Sequence, residues 1–233
     1  MTEAVKPARW EKIIERVREV CRTAGRAPDE VKILPVTKGF GPELIRACWE
    51  FGFTVFGENR VAEYLEKKAS LKDHPAAAAG WQMIGHLQSN KVRKIIGEFE
   101  LIHSFDRQSL IDEFTRRLAG TEKIQKVLLQ VNVSGEDSKY GATPEAAPEL
   151  LEKLLGNPNL EPLGLMTMAP WTDDEEIIRQ TFAGCRRLRD RLTKRFDIAL
   201  PELSMGMTND YEIAIQEGAT LLRLGRLLFG ERE

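Results

Sequence analysis

The sequence predicts an α/β fold, a single TIM-type (β/α)8 barrel over residues 1–233 with an extra helix at about residues 8–24. Three observations carry this expectation. Short apolar runs alternate with amphipathic segments of helical period. Eight such runs can be counted along the chain. The 233 residues divide into units of about 29, the size of a strand–helix repeat, and the total sits near the ~250 residues usual for such barrels. An open, doubly wound sheet is the alternative, because alternation alone does not separate a closed sheet from an open one.

The elements follow in order. Residues 10–24 (WEKIIERVREVCRTA) set Trp10, Ile13, Ile14, Val17 and Cys21 on one helical face, and GRAPDE breaks the pattern. VKILPVT (31–37) is a β-branched apolar run typical of a buried strand. GPELIRACWEF (41–51) reads as a helix with Pro42 at its start, where a missing N–H costs least. Further strands are expected at 53–57, 81–85, 101–104, 126–133, 162–168, 200–205 and 220–225. Helices are expected at 58–70, 88–97, 107–119, 144–155, 174–195 and 208–217, with a short helical tail at the end. The clearest is 174–195, where Ile178, Phe182, Cys185, Leu188 and Leu192 recur at helical spacing behind the acidic start Asp173, Asp174, Glu175, Glu176. SGEDSKYGAT (134–143) is polar and predicts a mobile loop.

Composition narrows the class. With 42% hydrophobic and 30% charged residues the chain matches a soluble globular protein, which excludes wholesale disorder. Its 34 Lys+Arg against 36 Asp+Glu lack the basic excess of a nucleic-acid binder. No apolar run approaches the ~20 residues of a membrane span, and MTEAVKPARWEK has no signal-peptide centre. Cys21, Cys48 and Cys185 lie far apart without a CxxC pair, and His74, His86 and His103 show no metal-ligand spacing. The expectation is a cytoplasmic chain with no metal, membrane or nucleic-acid partner.

Active sites of such barrels form at the C-terminal strand ends. Lys38, in PVTKGF, ends the first strand; it is either a lysine that caps the strand at the surface or one whose partial desolvation favours the neutral amine that attacks carbonyls. SMGMTND (204–210) ends the seventh strand, and Ser204, Thr208 and the backbone there suit a phosphate. RLGR (223–226) ends the eighth, where Gly225 permits close backbone approach. Closure would bring Arg223 and Gly225 beside Lys38. A reactive amine next to an anion cradle suggests a phosphorylated aldehyde held through that amine. His86 and His103 end strands near the same face and each is either a cavity residue or a hydrogen-bonded structural one. Lys91, Arg93 and Lys94 form a basic patch, read either as a solvated face or as an anion or partner surface.

The stretches ILPVTKGF, FGENRVAEYLEK, WQMIGHLQSNKVRKI, IHSFDR, QVNVSGEDSKYG, LGLMTMAP and LSMGMTNDYEIAIQEGATLLRLGRLLFGER run from residue 33 to the C-terminus. Through them the chain resembles the pyridoxal phosphate homeostasis protein family, related to the barrel domain of alanine racemases. The resemblance implies that pyridoxal 5′-phosphate (PLP) is held as a Schiff base on Lys38, with Arg223 facing the pyridine nitrogen. Ser204, Gly225 and the backbone at Arg226 match phosphate-binding elements, and Asn59 and Met166 match residues near the ring. At 226 several relatives carry a small residue or a hydroxyl, so only the backbone contact carries over.

The resemblance implies a carrier that takes part in PLP homeostasis or delivery, with no catalytic residue. Expected partners are PLP, apo PLP enzymes or amino acids. Arginine cannot accept the ring-nitrogen proton, so the ring would be a weak electron sink. Alanine racemases share that arrangement but add a β-rich domain with a catalytic tyrosine, for which 233 residues leave no room. A monomer with open loops at the cofactor face is expected. The alternatives are a PLP-dependent racemase or lyase using a base such as His86, a class I aldolase using Lys38, and an interaction scaffold with PLP as its signal.

Overall fold

The computed structural model describes residues 5–136 and 139–231. Eight parallel strands form one sheet: β1 (Lys32–Pro35), β2 (Val55–Glu58), β3 (Gly80–Met83), β4 (Leu101–Phe105), β5 (Gln125–Gln130), β6 (Leu160–Met166), β7 (Glu202–Ser204) and β8 (Leu221–Leu224). From β2 to β8 each strand pairs with the next, and β1 pairs with β8 in the register Leu34–Arg223. A parallel bridge between Val36 and Gly57, with Thr37 N–H donating to Gly57 O at 3.1 Å, joins β1 to β2. The sheet is thereby closed into a barrel, and the open-sheet alternative falls away.

The helices are α1 (Pro7–Thr23), α2 (Pro42–Phe51), α3 (Val61–Ser70), α4 (Gln108–Leu118), α5 (Ala147–Leu155), α6 (Glu175–Phe196), α7 (Tyr211–Gln216) and α8 (Arg226–Phe229). Their apolar stripes lie on the outer face of the strands in one large core that includes Trp10, Ile45, Phe56, Phe114 and Phe182. α6 starts as its acidic sequence predicts: Asp174 Oδ1 accepts from Glu176 N–H at 2.9 Å and Ile177 N–H at 3.3 Å, a cap worth about 1 kcal/mol. α1 packs against α8, where Trp10 Nε1 donates to Leu228 O at 3.1 Å and Arg9 Nε to Leu227 O at 2.8 Å. The extra N-terminal helix therefore fixes the segment that follows Gly225.

A second, smaller core contains Leu34, Leu101, Leu128, Met166 and Leu221, one residue from each of five strands. This is the barrel interior. Side chains two residues further along a strand return to the same face. That rule directs Val36, His103, Gln130, Met168 and Arg223 inward, one layer nearer the C-terminal ends. Gln82, in register with Leu101, and Ser204, in register with Met166, share the inward face.

Two expected elements differ. Residues 88–97, read as a helix, form a 3-10 turn over Ser89–Lys94, with only Val92 and Ile95 of this stretch buried. That apolar stripe is too short to hold several α-helical turns. The helix expected from residue 58 begins at Val61, because Glu58 is still in β2 and is fully buried. Within the loop read as 134–143, Asp137 and Ser138 lie outside the described residues.

Candidate functional site

A cavity of about 490 Å³ opens at the C-terminal strand ends, within the ~300–1,000 Å³ of ordinary ligand sites. Lys38, Asn59, Arg223, Gly225 and Arg226 all line it, together with His86, Gln130, Met168, Thr208 and Asn209. Five of the seven expected site residues thus converge from β1, β2 and β8.

The backbone on both sides of Lys38 is clamped. Lys67 Nζ, buried on α3, donates to Thr37 O at 2.7 Å, Glu58 Oε1 at 2.5 Å and Glu63 Oε1 at 2.6 Å. Thr37 Oγ1 donates to the same Glu58 oxygen at 2.6 Å, and Gly39 N–H donates to Glu63 Oε1. Burial pushes the Glu58 carboxyl up, against the opposing pull of Lys67 and Thr37. Lys38 itself is half-buried.

Arg223 is fixed from inside the barrel. Its Nη2 donates to Thr167 O at 2.9 Å and its Nη1 to Ser204 Oγ at 2.7 Å. Ser204 Oγ lies 2.9 Å from His103 Nδ1, and His103 Nε2 lies 2.9 Å from Gln82 Oε1. Burial, aided by the Arg223 charge, holds the His103 pKa well below 6.5, so the ring is neutral. One proton arrangement satisfies every bond: Arg223 donates to Ser204, Ser204 to His103 Nδ1, and His103 Nε2–H to Gln82. Burial lowers Arg223 to about 10, opposed by the Asp210 carboxylate, so it remains a cation at neutral pH.

This relay changes the reading of two expected residues. Ser204 is fully buried and its hydroxyl is engaged by Arg223 and His103, so it does not line the cavity. Met166 is equally buried, in the interior core, and Met168, one inward position further on, lines the cavity instead. His103 proves to be a relay residue rather than a cavity residue, while His86 reaches the cavity, its Nδ1 3.4 Å from Asp106 Oδ2. His74 only caps a turn, accepting from Ala76 N–H at 3.1 Å.

Other residues of the two motifs expected to cradle an anion line the cavity: Thr208 and Asn209 from one, Gly225 and Arg226 from the other. Thr208 and Asn209 follow Gly206, whose φ of 92° favours glycine. Thr208 Oγ1 accepts from Leu227 N–H at 3.2 Å, which ties the SMGMT loop to the start of α8. Gly225 lies against β1, where an added Cβ would sit 3.3 Å from Val36 O. At the rim, Tyr140 stacks on His86 with ring centroids 3.9 Å apart, and Arg226 lies 5.5 Å from the Trp171 ring. No group of three metal-ligating side chains occurs among the described residues. The Glu58–Lys67–Glu63 clamp escaped the sequence reading, although a carboxylate closing the apolar run FTVFGE was a visible signal.

An amine on a clamped strand end, a fixed arginine and a glycine-lined loop pair suit a phosphorylated aldehyde. The alanine racemase N-terminal domain model matches residues 10–233. The pyridoxal phosphate homeostasis protein of Aquifex aeolicus (strain VF5) is 45% identical, covering 97% of each chain. The structure of PipY from Synechococcus elongatus PCC7942 with PLP bound superposes with a TM-score of 0.80 at 33% identity, over 92% of this chain and 100% of that one. Alanine racemase of Corynebacterium glutamicum shares the fold alone, with a TM-score of 0.70 at 14% identity over 95% of this chain and 61% of its own. The chain therefore belongs to the pyridoxal phosphate homeostasis protein family, built on the alanine racemase N-terminal barrel.

Proposed function

We propose that this chain binds PLP in the cavity at the C-terminal strand ends, through Lys38, and acts as a carrier in PLP homeostasis rather than as a catalyst. The observation that carries the reading is the opposition of Lys38 and an immobilised Arg223 in one cavity, with Thr208, Asn209, Gly225 and Arg226 in the same wall. The residues fit the group. Asn59 Oδ1 is buried with no hydrogen-bond partner among the described residues, and can accept from a bound ligand. The SMGMT loop and Gly225 supply backbone and hydroxyl donors for a phosphate.

When bound, PLP supplies an aldehyde that condenses with amines and a ring that withdraws electrons. Lys38 provides the covalent tether. Arg223, held by Ser204 and Thr167, would offer its remaining donors to the ring nitrogen and, being a cation, would take no proton from it. That leaves the ring a weak electron sink. The clamp of Lys67, Glu58 and Glu63 holds the backbone on both sides of Lys38.

A second reading, a racemase or lyase, draws on His86, which lines the cavity within 3.4 Å of Asp106 Oδ2 and would serve as its base. The two readings separate in heavy water. PLP-loaded protein with L- or D-amino acids is followed for α-deuteration by NMR, and PLP transfer to an apo enzyme is measured in parallel. Slow exchange with efficient transfer supports the carrier. Exchange at enzyme-like rates of about 1–10³ s⁻¹ overturns it.

A further inference from the structure

Beside the main cavity lies a smaller one of about 230 Å³, and the two share Asn59 and His86 in their walls. Its floor is apolar, with Met83 and Leu87 each 1% exposed. Three cations line it: Arg60 at the start of α3, and Lys91 and Lys94 on the 3-10 turn. No carboxylate lines it, although Asp+Glu outnumber Lys+Arg in the chain by 36 to 34. None of the three makes an ion pair among the described residues, whereas Arg16, Arg26, Lys67, Arg116 and Arg179 all do. Glu63 feels the Arg60 charge, but its Oε1 is already taken by Lys67 and Gly39 N–H.

Like charges gathered without counter-ions repel one another and cost stability, so their grouping around a concave apolar floor calls for an anionic occupant. We infer that this second cavity is a binding site for a small phosphate monoester, its apolar body on Met83 and Leu87 and its dianion among Arg60, Lys91 and Lys94. Three positive charges with no carboxylate favour a dianion over a monocarboxylate. The small volume favours a small molecule over a protein segment. The basic patch of the IGHLQSNKVRK motif thereby gains a ligand, and the site stands whether or not the larger cavity holds PLP.

The test uses protein labelled with ¹³C at its methionine methyls. Met83 reports the smaller cavity, while Met168 and Met207 report the larger one. The probes are phenyl phosphate, inorganic phosphate, benzoate and a short Asp/Glu-rich peptide. Phenyl phosphate is expected to shift Met83 saturably, more tightly than inorganic phosphate or benzoate. Its affinity should strengthen as pH rises through its second ionisation near ~6. Lys91→Gln with Lys94→Gln should weaken it at least about tenfold, as expected when charge-assisted contacts to an anion are lost. Arg226→Gln, in the larger cavity, should leave the Met83 titration unchanged. Three results would overturn the inference: phenyl phosphate shifting only Met168 and Met207, binding insensitive to the two lysines, or the peptide alone shifting Met83. The last would make the patch a protein-docking surface.

Discussion

Lys67 has all three of its N–H donors met by oxygen, and one of those oxygens belongs to the fully buried Glu58. Lys67→Met leaves that carboxylate without its cation, and removing one partner of a buried pair typically costs about 3–5 kcal/mol. Urea unfolding should show this loss, and Glu58→Gln added to Lys67→Met should recover part of it. Weaker PLP retention by the single variant would accompany the loss, since Thr37 and Gly39 flank Lys38. A Lys67→Met protein of unchanged stability would show that the clamp does not hold Lys38.

His103 gives a pH signature. Its folded pKa lies well below 6.5 because burial and Arg223 disfavour the charged ring. Between that lowered value and 6.5 the unfolded chain binds the extra proton, so stability falls as pH drops below 6.5. The slope is at most about 1.4 kcal/mol per pH unit. Denaturation of wild type and His103→Gln at pH 5 and pH 7 should show a smaller loss in the variant. Equal losses would place the titrating group elsewhere. At this scale the motifs led to Lys38, Asn59, Arg223, Gly225 and Arg226. Ser204 bonds to Arg223 and His103, a placement hidden from sequence because a hydroxyl in a phosphate-like motif looks the same whether it faces a ligand or an arginine. Its strand register, opposite Met166, is what turns it inward.

Among the elements, the β7–α7 connection has little tolerance for a side chain at Gly206. At Gly206, φ is 92° and an added Cβ would lie 2.6 Å from the Ala214 Cβ and 3.0 Å from Leu222 Cδ2. Gly206→Ala should therefore cost about 1–3 kcal/mol through strain and crowding. It should also lower PLP affinity, because Thr208 moves with the loop. Thermal unfolding and cofactor titration check both effects, and an unperturbed variant would contradict the placement of this loop. Most elements were legible from periodicity, since each helix has one apolar stripe and each strand a short apolar run. The stretch at 88–97 was not, because two buried residues, Val92 and Ile95, resemble the start of a helical stripe until the chain turns at Gly97, φ 78°. The helix at 58 was placed early because a carboxylate after FTVFG reads as a helix start as readily as the last residue of a strand paired with Met83.

For the whole molecule, barrel closure makes the site. Lys38 and Arg223 are 185 positions apart, yet the β1–β8 register sets Leu34 beside Arg223 and Pro35 beside Leu224. The relay from Arg223 through Ser204 and His103 to Gln82 then joins the cavity to the barrel interior. Eight repeats of barrel-like spacing pointed to the closed architecture, and the β1–β8 pairing and the Val36–Gly57 bridge decide it against the open sheet. The interior relay was not, because it is assembled from β3, β4, β7 and β8, and only strand register shows that their polar residues meet. α1, bonded to Leu227 and Leu228, braces the loop side from outside. The measurement that tests the central claim most directly is borohydride reduction of PLP-loaded protein, followed by absorption and peptide mass mapping. The account predicts loss of the long-wavelength band and a single stable pyridoxyl label on the peptide containing Lys38. A label on another lysine such as Lys91 with Lys38 unmodified, or no label at saturating PLP, would contradict it.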